Sequence, residues 1–409
     1  MATTVDHYYN CYILKQGKII FNDLFVKCGK FVNPADLTKN KEAVPFNKIN
    51  CEGLLISPGF IDLQVNGGFN IDFSRLTDVD LELKKFSNRV LAYGVTSFCP
   101  TIISSNSKYY KYVLPKFNSL KQNKGGANII GVHLEGPFIN PAKKGAHPVD
   151  LIQSSENGFS KVKQVYGSLE NVVMVTLAPE LENIGSIIKQ LVSLDIKVSI
   201  GHTLASLDIS KKAVKNGATC ITHLFNAMTP FNHREPGVIG LLTNDDVSKQ
   251  TFFGVIADGI HVHPSALKIA YKANPKGIIL VTDGMTAVGL PDGNYHLGEN
   301  QVCKKGIKVT VNGTDTLAGS AATLDFCVKQ FCLYTGCELS KCLECATLHP
   351  AQCLGVDKFK GSLDFGYDAD FVVLNDRLDV LKTYVSGKKV FDLLIRSNNF
   401  NWLVLRNFK

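Results

Sequence analysis

Eight short apolar runs along the middle of the chain constrain its fold more than any other feature. They are GFIDLQV (59–65), GVTSFCPT (94–101), NIIGVHLEG (128–136), NVVMVTLAPE (171–180), IKVSIGHT (196–203), ATCITHLFN (218–226), TFFGVIADGIH (251–261) and GIILVTDGM (277–285). Stretches with helical periodicity, such as DVDLELKKFSNRVLAYG and LDISKKAVKNG, separate most of them. Near-continuous hydrophobic strands that alternate with helices predict parallel βα units, and eight such units close a barrel. The expected fold class is therefore α/β, a (β/α)8 barrel. A doubly wound open sheet is the alternative, but no G-x-G-x-x-G follows the first run, which weakens a dinucleotide-binding reading.

The two ends read differently. Residues 9–56 and 359–409 carry short strands and turns, as in GSLDFGYDADFVVLN and TYVSGKKVFD. Short antiparallel strands need partners to be stable, so the ends are expected to pair into one small β-sandwich. The division is then 1–56 and 358–409 for the sandwich and 57–357 for the barrel. A chain of 409 residues that is 45% apolar can bury a core of that size.

Composition narrows the partners. The net charge of +8 arises from 44 basic and 36 acidic residues, with the lysines scattered. No nucleic-acid partner is expected, and an anionic small substrate suits the balance. The start, MATTVDHYYN, is polar, and no segment reaches the 18 or so apolar residues of a membrane span. A soluble, cytoplasmic protein with no membrane partner is the expectation. Of 12 cysteines, five fall within Cys327 to Cys345. Cys337, Cys342, Cys345 and Cys353 mimic an iron–sulfur spacing. The surrounding LDFCVKQFCLY and LSKCLECATL instead read as amphipathic helices with Cys in apolar slots, and that reading is preferred.

In a barrel of this type, reactive groups lie at the C-terminal strand ends. The first run ends in an oddity: SPGFIDLQVNGG places Gln64 and Asn66 where many metal hydrolases have His-x-His, and neither is a good transition-metal ligand. The other ends supply Glu135, His202, His223 and Asp283. Two imidazoles and a carboxylate suit one catalytic zinc-type ion with positions left open for water and substrate. Glu135 thus replaces the ligand missing from the first strand, and a second metal is disfavoured. Asp283 remains as the acid–base group, and His147, in the loop after the third run, could polarise a carbonyl.

PGFIDLQVNG, GVHLEGPFINPAKKGAHP, VTLAPE, GHTLA, THLFNAMTPFNHREPGVIG, ADGIHVHP, LVTDGM and TLAGSAATLD follow one another in order over residues 53 to 375. Together they resemble the N-acetylglucosamine-6-phosphate deacetylases of the amidohydrolase superfamily. The resemblance implies a barrel with a sandwich built from both chain ends, and hydrolysis of the sugar acetamide to an amine and acetate. It implies that Glu135, His202 and His223 bind one divalent ion per subunit and that Asp283 is the acid–base. It further implies that Ala146, His147, Asn226, Ala227, Asp258, Gly259, Ile260, His261, Leu317, Ala318 and Gly319 line the sugar site. Arg234 and His261 would hold the phosphate, partly across a homodimer interface. A cyclic-amide hydrolase and a metal-free scaffold are the rival readings; the first lacks its His-x-His here, and the intact Glu135, His202, His223 and Asp283 argue against the second.

Overall fold

The apolar runs form parallel strands whose two faces are both covered. In the computed structural model, which describes residues 4–37, 45–120, 125–243 and 251–393, they are β1 (Phe60–Val65), β2 (Val95–Ile103), β3 (Val132–Glu135), β4 (Val172–Leu177), β5 (Lys197–Ile200), β6 (Cys220–Ile221), β7 (Phe252–Val255) and β8 (Ile278–Leu280). Each pairs in parallel with the next in sequence. A bridge from Val65 to Gly284, and the Asp283 N–H donating to the Gln64 carbonyl at 2.9 Å, bring the last strand back to the first. The result is a nearly closed (β/α)8 barrel, as expected.

Two of the strands depart from their runs at identifiable positions. The third splits into Asn128–Ile129 and β3 on either side of Gly131, which packs so tightly on β4 that an added Cβ would lie 2.2 Å from the Val173 side chain. The sixth shrinks to two residues. His223, Phe225 and Ala227 all take positive φ, which ends the ladder and turns the chain over the barrel mouth.

The helices follow from their sequence signals. Val79–Arg89 starts at Asp78, whose carboxylate accepts the Leu81 N–H, and buries Val79, Leu83 and Phe86 against the barrel. At the barrel floor, the helix Leu348–Leu354 packs Ala351, Cys353 and Leu354 against Ile61, Leu63 and Ile279. No helix among the described residues is long and apolar enough to cross a membrane.

The chain ends meet as antiparallel partners. Strand Leu55–Pro58 pairs with Phe371–Leu374, placing Ile56 opposite Val373 in a six-stranded sheet. A four-stranded sheet containing Val5–Tyr9 and Leu24–Lys27 contributes Tyr8, Leu24, Val26 and Phe31 to the same apolar cluster as Ile56, Phe371 and Tyr384. Residues 394–409 of the expected C-terminal part lie outside the described residues.

One element was not anticipated. Gly293–Leu297, Asn300–Lys305 and Lys308–Val311 form a three-stranded antiparallel sheet. It packs Leu297, Val302 and Val309 on Ile103, Ala146 and Met285, over the mouth of the barrel.

Candidate active site

At the mouth, three strands deliver one donor each. Glu135 ends β3, while His202 and His223 follow β5 and β6. All three are buried, and their ligand atoms lie within 4.8 Å of one another. Glu135 Oε1 is 3.1 Å from His202 Nε2 and 3.0 Å from His223 Nε2, and the two Nε2 atoms are 3.0 Å apart. The close approach needs a glycine: a Cβ on Gly201 would meet Thr222 and Thr176 below 3 Å.

The protonation pattern tests whether a cation fits. His202 Nδ1 faces the Lys143 carbonyl at 2.8 Å, which can only accept, so Nδ1 carries the hydrogen and Nε2 presents a lone pair. His223 Nδ1 is buried without a partner among the described residues, and its Nε2 faces the same point. Lone pairs crowded together in this way are satisfied by a shared cation, and the N2O donor set suits zinc or a similar divalent ion. Among the described residues no other group of three such side chains could hold a metal. The iron–sulfur spacing near the C-terminus therefore does not produce a cluster: Cys353 sits at the barrel floor, and all twelve cysteines are free.

The oddity at β1 resolves as an anchoring device. Gln64 Nε2 donates to Glu135 Oε1 at 3.1 Å and to Asp283 Oδ1 at 3.3 Å. Asn66 Nδ2 donates to Asp283 Oδ1 at 2.7 Å. Amides stand where ligands were sought, and they aim two carboxylates at one point. Burial, then the nearby charge of Glu135, pushes the Asp283 carboxyl up to about 7. His202, His223, Ala227 and Asp283 all hold positive φ, between 28° and 51°. Such strain is costly for non-glycine residues and collects at functional sites.

His147 closes the far side, its ring centroid 4.5 Å from that of His202. The Ser104 backbone N–H donates to His147 Nδ1 at 3.2 Å, with the Ser104 hydroxyl 2.8 Å away. Because an N–H can only donate, Nδ1 is the acceptor and Nε2–H is left as a donor. Burial, reinforced by His202, holds His147 well below its ordinary pKa and so neutral. Sequence reasoning missed Ser104, Gln64 and Asn66 as positioning groups; the Gln-x-Asn in place of His-x-His was the signal for two of them.

These groups line one cavity at the barrel mouth. Of the expected residues, Glu135, Ala146, His147, His202, His223, Asn226, Ala227, His261, Asp283, Leu317 and Gly319 line it, joined by Thr316 and Leu297 from the unanticipated sheet and its return. Asp258 lies behind His261: its Oδ2 takes the His261 Nδ1 at 2.6 Å and its Oδ1 takes the backbone N–H groups of Ile260 and His261. This leaves His261 Nε2 free to face a ligand. Gly259, Ile260 and Ala318 are not on the wall, and Ala318 is fully buried. Arg234 is exposed and outside the cavity of its own chain. No ion pair joins it to Glu235, whose carboxylate instead accepts the Leu207 and Gly237 N–H groups.

Comparison with known proteins gives a consistent picture. The Amidohydrolase family model matches residues 55–390. N-acetylglucosamine-6-phosphate deacetylase of Danio rerio is 47% identical over 391 residues, covering 95% of this chain and 97% of that protein. The N-acetylgalactosamine-6-phosphate deacetylase of Escherichia coli O157:H7 is 33% identical, over 85% of this chain and 90% of its own. Among solved structures, a mutant of the Mycobacterium smegmatis N-acetyl-D-glucosamine-6-phosphate deacetylase in complex with N-acetyl-D-glucosamine-6-phosphate superposes with TM-score 0.83 at 28% identity, covering 95% of this chain and 100% of that one.

Proposed function

The chain belongs to the amidohydrolase family, among its N-acetylglucosamine-6-phosphate deacetylases, and we propose that the cavity at its barrel mouth hydrolyses the acetamide of N-acetylglucosamine 6-phosphate to glucosamine 6-phosphate and acetate. The observation that carries this reading is the convergence of Glu135, His202 and His223 beside Asp283 in that cavity. Glu135, His202 and His223 would hold one divalent ion, which we take to be zinc. Such an ion, when bound, lowers the pKa of water and polarises a carbonyl.

The remaining work falls to the chain's own groups. Gln64 and Asn66 hold Asp283 in place, and a carboxyl with a pKa near neutrality can take a proton from attacking water and return it to the leaving amine. His147, held neutral with its hydrogen on Nε2, donates to the acetamide oxygen as charge develops there. Leu297 and Leu317 give the cavity apolar wall, which suits a methyl group. Acetate release from N-acetylglucosamine 6-phosphate, before and after chelation, tests the reading, with N-acetylgalactosamine 6-phosphate as the competing substrate. Retained release after complete removal of metal would overturn it.

We assign the phosphate to His261, with Arg234 supplied by a second copy of the chain in a cytoplasmic homodimer. What supports this is that His261 faces the cavity with its tautomer set by Asp258, whereas Arg234 is exposed outside its own cavity. A guanidinium fork matches phosphate oxygens, and one charged hydrogen bond is worth roughly 1.5–3 kcal/mol. Arg234→Ala is expected to lower kcat/KM for the phosphorylated sugar by about 10- to 150-fold. Use of unphosphorylated N-acetylglucosamine should barely change. Mixing Arg234→Ala chains with Asp283→Asn chains should restore activity, and no rescue in a verified mixed dimer would count against the shared pocket.

A further inference from the structure

β4 lies between the strands that deliver Glu135 and His202, yet no residue from 172 to 180 lines the cavity. Its run ends in VTLAPE, and the reaction leaves the terminal Glu180 without a part. This carboxylate is half-buried and reaches sideways, accepting hydrogen bonds from the loops on either side of it. On the β3 side, Asn140 Nδ2 donates to Oε1 at 2.9 Å. On the β5 side, the Leu204 N–H donates to Oε1 at 2.7 Å and the Thr203 hydroxyl to Oε2 at 2.5 Å.

These two loops hold His202. The Asn140 N–H donates to the His202 carbonyl at 2.9 Å, and the Asn140 side-chain oxygen accepts the Ala142 N–H, which starts the turn Pro141–Lys143. That turn brings the Lys143 carbonyl to His202 Nδ1. Thr203 and Leu204 follow directly after His202, whose φ of 50° lies in the left-handed region, where a residue other than glycine needs outside support. The Thr203 N–H also donates to the Ala227 carbonyl at 3.1 Å, which ties in the loop after β6. Glu180 thus joins the backbone that bears the His202 ring to the turn that engages the ring's far nitrogen. Such outer partners orient a metal-bound imidazole, and losing one costs about 10- to 100-fold in metal affinity.

On the reading that Glu135, His202 and His223 hold the ion, we propose that Glu180 is a positioning residue that fixes the His202 imidazole for the metal, by locking the Asn140–Lys143 turn to the Thr203–Leu204 backbone. Its effect falls on the metal rather than on the oxyanion donor. His147 shares a loop with Asn140 but is held separately by Ser104.

The test titrates the metal-free full chain with zinc against a competing chelator and follows thermal unfolding with and without zinc. Glu180→Ala should weaken zinc binding by about 10- to 100-fold. It should also narrow the gap between the two unfolding temperatures, since stabilisation by a ligand follows its affinity. Activity lost at limiting zinc should return in excess zinc. Glu180→Gln, which retains an oxygen for both N–H donors, should recover most of the affinity. Where Glu180→Ala does not fold, Asn140→Ala removes one arm and should cost about 2- to 10-fold. Unchanged zinc affinity in the folded variant would overturn the proposal, and so would a fall in both unfolding temperatures with the gap preserved. A Glu180→Gln chain as weak as Glu180→Ala would overturn it too, by making charge rather than placement the cause. His202→Ala separates the two readings. Zinc binding that survives it refutes the ion site and the proposal together, whereas zinc that needs His202 but is indifferent to Glu180 refutes the proposal alone.

Discussion

Two polar layers lie one above the other inside the barrel, and they solve the same burial problem in opposite ways. In the lower layer, Ser199, Thr222, Thr176 and His133 form a chain of hydrogen bonds of 2.6, 2.7 and 2.8 Å. It ends with His133 Nδ1 donating to the Leu63 carbonyl at 3.1 Å, so both ring nitrogens are engaged. Burial drives the His133 pKa down to about 4, and the ring stays neutral. In the upper layer, His202 Nε2, His223 Nε2 and Glu135 Oε1 crowd within 3.1 Å of one another and His223 Nδ1 has no described partner. A histidine whose hydrogen bonds are complete within the protein is structural. One whose lone pair points at another lone pair is waiting for a ligand.

The largest expected effect breaks the upper layer. His223→Ala should abolish both metal binding and deacetylase activity while leaving the fold intact, as read by elemental analysis and circular dichroism. Two tightly held ions per wild-type chain, or none in active enzyme, would sink the single-ion site. Asp283→Asn comes next: it cannot shuttle the proton, and turnover should fall by roughly 100- to 10,000-fold with metal content unchanged. Near-normal turnover would remove Asp283 from the chemistry.

Smaller effects sharpen the boundary between the layers. Ser104→Ala removes one contact to His147 Nδ1 but leaves the backbone N–H, so kcat should drop only about 2- to 10-fold, the equivalent of one neutral hydrogen bond. A thousandfold loss would show that the hydroxyl alone sets the tautomer. Thr222→Val keeps the shape of the lower layer but strips Ser199 of its acceptor and Thr176 of its donor. Denaturant titration should show a loss of about 1–3 kcal/mol and kinetics almost no change. Altered metal content there would mean that the two layers are not independent.

Much of this was legible in residue order, and the exceptions have physical causes. The barrel strands read clearly because burial on both faces demands continuous apolar runs, and the donors read clearly because each follows such a run. The sixth strand was over-read: the apolar residues Leu224 and Phe225 continue the run, but positive φ at His223 and Phe225 turns the backbone out of the ladder. The sheet over the mouth, 293–311, was missed because its alternating pattern sits on short strands after the last expected barrel strand. Ser104 carries no pattern at all; its role depends on a loop 43 residues later bringing His147 to it.

The sandwich pairing sets an order on folding. Strand Leu55–Pro58 leads directly into β1, yet its antiparallel partner Phe371–Leu374 is made only after the entire barrel. At about 5–20 residues per second, the early strand has an open edge for on the order of tens of seconds on the ribosome. That edge, Leu-Ile-Ser-Pro, is apolar and unpaired on one side until the last strands emerge. Truncating the C-terminal strands should therefore yield a chain that aggregates through its N-terminal sheet, even where the barrel itself can close.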